Sequence, residues 1–307
     1  MNVLRGNGPF SELSAGSVAT IGNFDGVHVG HQALIQVLRE QARALKLPLL
    51  VILFEPQPSE YFHLTNPPAR LSSLREKILG LKKLGVDYVY CMAFDQMLAT
   101  MDPIEFVQRF LLSILHVKLL VVGQDFRFGK NREGDVGLLT RLFKVHGRNV
   151  QLFSDFQLFE ERVSSTKIRA ALAEDDLLLA SKLLGRAYSM CGRVVKGDQR
   201  GRQWGIPTAN INLSKKKLPI RGVYFVHVVR NGTLLHGVAN VGCRPTVDGS
   251  KNILEVHILD FNQSLYGELL EVVFLQKLRD EQRFSSLDDL ITTIKSDIAA
   301  AIHYFNS

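Results

Sequence analysis

The densest run of chemistry-bearing residues is Gly22-Asn23-Phe24-Asp25-Gly26-Val27-His28-Val29-Gly30-His31. Glycines let a backbone approach a phosphate closely, and a helix start offers N–H groups at the positive end of its dipole. His28 and His31 are three residues apart, so both rings can face one triphosphate and donate to phosphoryl oxygens as charge builds on a leaving group. A metal pair is the competing chemistry. The metalloprotease arrangement, however, needs histidines four apart with a glutamate between them, and this run has neither. A second run, Ser164-Ser165-Thr166-Lys167-Ile168-Arg169, puts hydroxyls at a helix start with an arginine one turn in, which suits a polyphosphate. Alone it reads first as an N-cap. Beside the histidine run it is the expected second half of a nucleotidyltransferase site. Residues 123–134 (GQDFRFGKNREG) imitate a Walker A loop, but five residues separate the glycines and Asn131 stands where a Ser or Thr would meet magnesium. They are read instead as a strand-end loop lining a pocket.

Two more runs lie in the C-terminal half. Residues 201–210 (GRQWGIPTAN) carry Thr208 and Asn210, two oxygen donors two residues apart after Pro207. Such donors, with phosphate oxygens and water, suit Mg²⁺, which needs few protein ligands. A Pro-Thr turn at a barrel rim is the plainer reading of the same residues. In residues 252–260 (NILEVHILD) the alternation puts Glu255 and His257 on one face, opposite Leu254, Val256 and Ile258. A carboxylate facing a barrel mouth could take a proton from a primary hydroxyl attacking a γ-phosphate. A solvent-facing glutamate is the plainer alternative.

These residues need elements to hold them. Residues 17–21 read as a short strand ending at Gly22, and residues 30–46 as a helix with Leu34, Leu38, Ala42 and Leu45 on one face, stopped by Pro48. Residues 49–54 form a continuous apolar run typical of a buried parallel strand. Helices follow at 74–84 and 103–115 and strands at 88–94 and 119–122. The alternation predicts a parallel sheet covered by helices, with ligands at the carboxyl ends of its strands. Residues 165–184 read as one or two helices. Beyond Gly185, strands are expected at 189–195, 222–229, 234–240, 252–259 and 268–274, with a hairpin at Asn231-Gly232. That is an all-β part, a small closed barrel. The tail, 287–305, is helical, with Leu290, Ile291, Ile294, Ile298 and Ile302 along one face. The boundary falls near 184–187, giving domains 1–184 and 185–307.

Composition limits the function classes. A chain of 307 residues, 46% hydrophobic and 22% charged, suits two globular domains and excludes wholesale disorder. Its longest apolar stretch, 47–54, contains Pro48 and is far short of the roughly 20 residues a bilayer requires. Residues 1–6 lack a basic flank followed by an apolar run, so no cleaved leader is expected. Cys91, Cys191 and Cys243 are far apart with no CxxC pair, which argues against a disulfide framework or zinc knuckle and for a cytoplasmic location. Thirty-seven basic against 30 acidic side chains leave +7, which fits nucleic acid or ATP alike. A nucleic-acid barrel would show a basic stripe with interleaved aromatics. The strands here have too few, the single Trp204 sits in a loop, and Lys215-Lys216-Lys217 reads as a solvated turn.

Taken together, GNFDGVHVGH, FEPQP at 54–58, RLSSLREK at 70–77, VGQDFRFGKNREG and SSTKIR resemble the adenylyltransferase half of prokaryotic bifunctional riboflavin kinase/FAD synthetases. GRVVKGDQRGRQWGIPTANI, GVANVGCRPTVDG, LEVHILDF, LYGELLEV and LRDEQRF, in that order, resemble the riboflavin kinase half. The resemblance covers nearly the whole chain. It implies a Rossmann-like nucleotidyltransferase domain followed by a six-stranded Greek-key barrel with a C-terminal helix. It implies riboflavin, FMN, FAD, ATP, ADP and pyrophosphate as partners and Mg²⁺ as cofactor, with oligomeric state left open and neither nucleic acid nor membrane involved.

Carried over residue by residue, it puts ATP at Gly22, Asn23, Phe24, Asp25, Gly26, His28, Gly30, His31, Asp125, Ser165, Thr166 and Arg169, with flavin on Phe62, Phe106 and Phe128. In the kinase half it puts Mg-ATP at Gly197, Gly205, Pro207, Thr208 and Asn210, with Thr208 and Asn210 toward the metal. Glu255 is then the base, and Arg279 and Phe284 flank the flavin. Gln57, Asp125 and Ala187 depart from the histidine, asparagine and proline common in the family; Asp125 bears on how the adenine or ribose is held. The alternative reading is a nucleotidyltransferase for another small phosphate ester with a non-catalytic barrel.

Overall fold

A computed structural model describes the chain apart from Asp155, Phe159, Glu160 and residues 198–200, 202–203, 214–216 and 247–248. Lys215 and Lys216 of the basic run, Arg202 and Gln203 before PTAN, and Val247 and Asp248 of the RPTVDG run lie outside the described residues. Residue contacts divide the chain into two compact units. One is Met1–Pro68 with Leu74–Ser164, the other Ala69–Ser73 with Ser165–Ser307.

The first unit is built on strands β1 (Asn2–Leu4), β2 (Ser17–Ile21), β3 (Leu49–Glu55), β4 (Tyr88–Ala93), β5 (Val117–Gly123) and β6 (Asn149–Phe153). They lie in the order β1-β4-β3-β2-β5-β6, every pair parallel. A short hairpin, β7 (Gln157–Leu158) with β8 (Glu161–Arg162), follows. Helices α1 (Val29–Leu45), α2 (Pro58–Phe62), α3 (Leu74–Lys83), α4 (Gln96–Ala99), α5 (Pro103–Phe106) and α6 (Val136–Val145) complete it. Strand β3 reads as an unbroken apolar run over residues 49–54 because both its faces are covered. Val18, Val51 and Val89 pack with Ile35 and Leu38 of α1 and Leu81 of α3. Ala19, Leu50 and Ile52 pack on the other side with Phe106, Phe110 and Phe143.

Three expectations need adjusting. Leu45, placed on the core stripe of α1, is exposed, because Lys46 turns left-handed (φ 53°) and ends the helix there; Ile35 takes its place in the core. The helix expected at 103–115 is one α-turn that widens into π-helix over Val107–Ile114. Strand β6 was not expected, and its burial explains why: it is an edge strand with no fully buried residue, so it carries no continuous apolar run.

The second unit begins with α7 (Ser165–Ala173) and α8 (Leu177–Leu184). A closed antiparallel barrel follows: β9 (Ser189–Val195), β10 (Ala209–Asn212), β11 (Gly222–Arg230), β12 (Thr233–Thr246), β13 (Gly249–Ile258) and β14 (Leu269–Arg279), ordered β10-β13-β12-β11-β14-β9. The long helix α9 (Leu287–Asn306) ends the chain. Tyr224, Val226, Leu254, Val256, Val272 and Phe274 are all buried, and their alternation along β11, β13 and β14 fills the barrel. Asn231 and Gly232 are both left-handed (φ 48° and 84°), as a two-residue hairpin of the mirror-image type requires. Strand β10, one of six, was not legible as a strand; it has four residues and a single buried side chain. Helices α7 and α8 group with the barrel because the turn between them is tied to it. Asp175 accepts hydrogen bonds from Tyr224 Oη at 3.0 Å and from Lys277 Nζ at 2.6 Å.

Candidate active sites

In the first unit the strand order reverses at β2, which lies between β3 and β5. The crevice at such a switch point, outside the carboxyl ends of the strands, is where open α/β sheets bind ligands. Two of the sequence runs emerge there. The loop of residues 22–28 follows β2 and the loop from Gln124 follows the neighbouring β5. The first loop is folded tightly. Phe24 and Val27 hold left-handed backbone (φ 47° and 44°), a costly conformation for residues with a Cβ, and Phe24, Asp25 and Val27 are buried.

The histidines meet at the start of α1. His28 is the N-cap, and its Nδ1 accepts the backbone N–H of His31 at 3.3 Å. With Nδ1 an acceptor, the neutral ring carries its proton on Nε2. The two rings stack with centroids 3.6 Å apart, and Phe24 lies against His31 at 4.6 Å. Burial, then the fields of His28 and the buried Lys77, holds His31 well below the ordinary imidazole range. His31 Nδ1 is enclosed without a hydrogen-bond partner among the described residues. A buried N–H is costlier to leave unmade than a buried lone pair, so His31 too keeps its proton on Nε2. His31 is therefore a neutral imidazole stacked on His28, with its N–H on Nε2.

The other residues expected at this site are placed as follows. Asn23 is exposed, while Gly26 and Gly30 are buried. Gly22 packs under Phe24: a Cβ there would come within 3.3 Å of the ring. Asp125 is exposed and takes an ion pair from Arg162 at 2.9 Å. Phe106 and Phe128 are core residues, 7% exposed or less, with ring centroids 5.8 Å apart. Phe62 is 62% exposed and clusters instead with Tyr61 and Phe94. Gln57, at the position that departs from the family, is buried and caps α2. Ser165, Thr166 and Arg169 belong to the second unit, where Arg169 Nε donates to the Ala69 carbonyl at 2.6 Å.

In the second unit the geometry corrects one expectation. Glu255 does not face a barrel mouth. It stands on the outer wall, in a cavity of about 290 Å³ lined also by Leu290, Ile294 and Ile298 of α9. The barrel register explains how the site is assembled. Arg279 pairs with Val223, Val223 with Asn240, Asn240 with Glu255, and Glu255 with Asn210. Directly opposed residues share a face, so this single row brings five strands' side chains to one wall. All five line the cavity. Arg279 is held by the buried Asp297 of α9 (Nη2–Oδ2 2.7 Å, Nε–Oδ1 3.0 Å) and lies 6.0 Å over the Phe284 ring. Phe284 and Trp204 complete the lining.

Thr208 and Asn210 also line a second cavity of about 390 Å³, with Gly197, Pro207 and the loop Phe261–Tyr266. The stretch before β10 is buttressed by His257, whose Nδ1 donates to the Pro207 carbonyl at 2.9 Å. Gly205 is exposed and lines neither cavity. No cluster of three or more His, Cys, Asp or Glu able to hold a metal occurs among the described residues. Thr208 and Asn210 share the first cavity with the carboxylates of Glu255, Glu281 and Asp297, the last of them held by Arg279. A hydroxyl and an amide oxygen beside Glu255 suit a cation that completes its shell with water and phosphate, which is how Mg²⁺ binds.

Sequence reasoning missed Asn240, Asp297 and Lys77. Asp297 carried a signal, an acid inside the apolar stripe of α9 between Ile294 and Ile298. Asn240 and Lys77 carried none of comparable strength.

A parallel-sheet unit with a histidine-bearing loop at its switch point, in one chain with a closed barrel bearing a polar wall under a helix, defines a two-domain nucleotide-dependent transferase. The FAD synthetase family model matches residues 11–167 and the riboflavin kinase model residues 184–305. A bifunctional riboflavin kinase/FMN adenylyltransferase of Haemophilus influenzae is 46% identical over 100% of both chains. That of Escherichia coli K12 is 47% identical over 99% of this chain and 98% of its own. The crystal structure of a macrolide-efflux protein from Streptococcus pneumoniae superposes with a TM-score of 0.79 at 31% identity, covering 97% of this chain and 98% of that one. The chain belongs to the bifunctional riboflavin kinase/FMN adenylyltransferase family. No helix among the described residues is long and apolar enough to cross a membrane.

Proposed function

We propose that the barrel phosphorylates riboflavin to FMN and that the α/β domain adenylylates FMN to FAD, each with ATP. The observation that carries the kinase half is the cross-strand row. It sets Asn210 and Glu255 on the wall of a cavity whose other wall is the apolar face of α9, with a second cavity sharing Thr208 and Asn210. We read the first cavity as the flavin side and the second as the nucleotide side. Glu255 takes the proton of the primary ribityl hydroxyl as that oxygen bonds the γ-phosphorus; the bond to the bridging oxygen breaks and ADP leaves. Arg279, clamped by Asp297, offers a planar guanidinium beside Phe284 to a flat ring system. Thr208 and Asn210 would hold Mg²⁺, which when bound neutralises charge on the transferring phosphates.

In the α/β domain an FMN phosphate oxygen bonds the α-phosphorus of ATP, and the α–β bridging bond breaks to release pyrophosphate. His28 and His31 donate to phosphoryl oxygens, His31 as a neutral ring. The 1–184/185–307 division of activities and a cytoplasmic location belong to the same proposal. The test is to incubate the full chain with riboflavin, ATP and Mg²⁺ and separate the flavins by chromatography. FMN followed by FAD is expected. FMN that never becomes FAD would remove the first domain's assignment, and no conversion even of supplied FMN would remove both.

A further inference from the structure

One side chain outside both cavities organises a wall of the nucleotide-side cavity. The loop between β13 and β14 supplies Phe261, Gln263, Leu265 and Tyr266 to that wall. Its far end is tied to β9, where the Val194 carbonyl accepts the Gly267 N–H at 2.9 Å and Arg193 Nη1 donates to the Gly267 carbonyl at 2.5 Å. Its middle is held by Arg230. That guanidinium grips Glu268 with two parallel bonds (Nε–Oε2 2.7 Å, Nη2–Oε1 2.8 Å) and donates from Nη1 to Gln263 Oε1 at 2.7 Å. It also lies 5.4 Å over the Phe261 ring. Arg230 does not line the cavity. It closes β11 opposite Thr233, immediately before the Asn231-Gly232 turn, so its own backbone is fixed by the tightest hairpin of the barrel.

We infer that Arg230 is a positioning residue for nucleotide binding in the riboflavin kinase half, acting through Gln263, Phe261 and Glu268. The inference rests on reading the second cavity as the nucleotide side. Three features support a role beyond surface pairing. An exposed ion pair contributes little by itself and needs no third or fourth partner. Here one planar fork uses three donor nitrogens on two residues and stacks on a third, a geometry that lysine cannot reproduce. The contacts also choose the orientation of Gln263. Its carboxamide oxygen is on Arg230, so the group it has to offer a nucleotide is its NH₂, a donor to phosphate or purine-nitrogen acceptors.

The test uses the full chain and steady-state riboflavin phosphorylation, with ATP varied at saturating riboflavin and then the reverse, for wild type, Arg230→Gln, Arg230→Lys and Glu268→Gln. Losing charge-assisted bonds that order a binding loop should raise KM for ATP about tenfold in Arg230→Gln. The value of kcat and KM for riboflavin should stay within about twofold, the pattern of lost ground-state binding to one substrate. Arg230→Lys, which keeps the charge and loses the fork, should lie nearer Arg230→Gln than wild type. Thermal melting and quenching of riboflavin fluorescence report whether each barrel is folded. If Arg230→Gln does not fold, Arg230→Lys and Glu268→Gln carry the same test. An unchanged KM for ATP in folded variants overturns the inference, as does an equal loss of riboflavin affinity. A wild type that phosphorylates no riboflavin at all overturns the reading of the barrel, and this inference with it.

Discussion

Gly192 lies inside β9 and Gly197 two residues beyond its end, and they should fail in opposite ways when given a methyl group. A Cβ at Gly197 would lie 2.5 Å from Cγ and Nδ2 of Asn210 and 2.7 Å from its Oδ1, where ordinary contact begins at 3.4 Å. The Asn210 amide must therefore retreat by roughly 1 Å. It is the end of a side chain, and an off-rotamer amide costs only about 0.5–1.5 kcal/mol. For a group meant to hold a nucleotide, a displacement of about 1 Å costs on the order of 10²-fold in rate, or about 2.7 kcal/mol at the transition state. Gly192 differs in what its methyl would meet, the backbone carbonyl of Asn212 at 2.4 Å. That carbonyl belongs to β10, paired with β9, and cannot swing aside. Overpacking of this kind costs about 1–3 kcal/mol of stability.

Gly197→Ala should thus lose riboflavin phosphorylation with little change in Tm, while Gly192→Ala should lower Tm in the barrel transition. Conversion of supplied FMN to FAD by Gly197→Ala should match wild type. The assays are ATP-dependent FMN formation followed by chromatography, FAD formation from FMN, and thermal melting of the same preparations. Full phosphorylation by a Gly197→Ala protein with unaltered Tm would refute the role given to Asn210. A parallel loss of both activities would refute the division between the domains.

Other perturbations should separate the two sites. Glu255→Gln removes the proton acceptor but keeps the shape, so kcat for phosphorylation should fall about 10²–10⁴-fold with KM for ATP little changed, read from initial rates. His28→Ala or His31→Ala should abolish FAD formation and spare FMN formation, and retention of FAD synthesis at the wild-type rate would remove the pair from the mechanism. The His31 imidazole is held below its unfolded value of 6.5, so the unfolded chain takes up a proton that the folded ring refuses. Its contribution to stability is intact above that pH and is lost as pH falls through and below it. Tm of the α/β transition should therefore drop on acidification from about pH 7.5 to about pH 5.5, and His31→Gln should flatten that slope.

Much of the fold is legible because its cues are local. The buried parallel strands announce themselves as apolar runs, and the Asn231-Gly232 hairpin falls where its dipeptide puts it. The histidine run is legible for the same reason, since its glycines, its N-cap and both rings lie within ten residues. What escaped depends on partners distant in the chain. Strand β6 is an edge strand with little to bury, and β10 is four residues held by β9 and β13 on either side. The π-helical widening at Val107–Ile114 leaves no mark on an apolar pattern that fits an α-helix equally well.

The kinase site shows where such reading stops. Alternation along β13 correctly separates Glu255 and His257 from the buried Leu254, Val256 and Ile258. It does not say what covers the outer face. That depends on α9, whose Leu290, Ile294 and Ile298 turn toward the cavity. Nor does alternation within one strand reveal which residues of the others share the wall. The row runs 279, 223, 240, 255, 210, an order that appears only once the barrel has closed and every register is known. Asn240 is invisible on its own strand and stands directly between Val223 and Glu255 once the strands are paired. Arg230 is concealed in the same way, since its partners lie more than 30 residues downstream. Residues that touch a ligand through a local loop can be found by type and spacing. Residues that act through the register of a closed sheet have to be found by following the pairing from strand to strand.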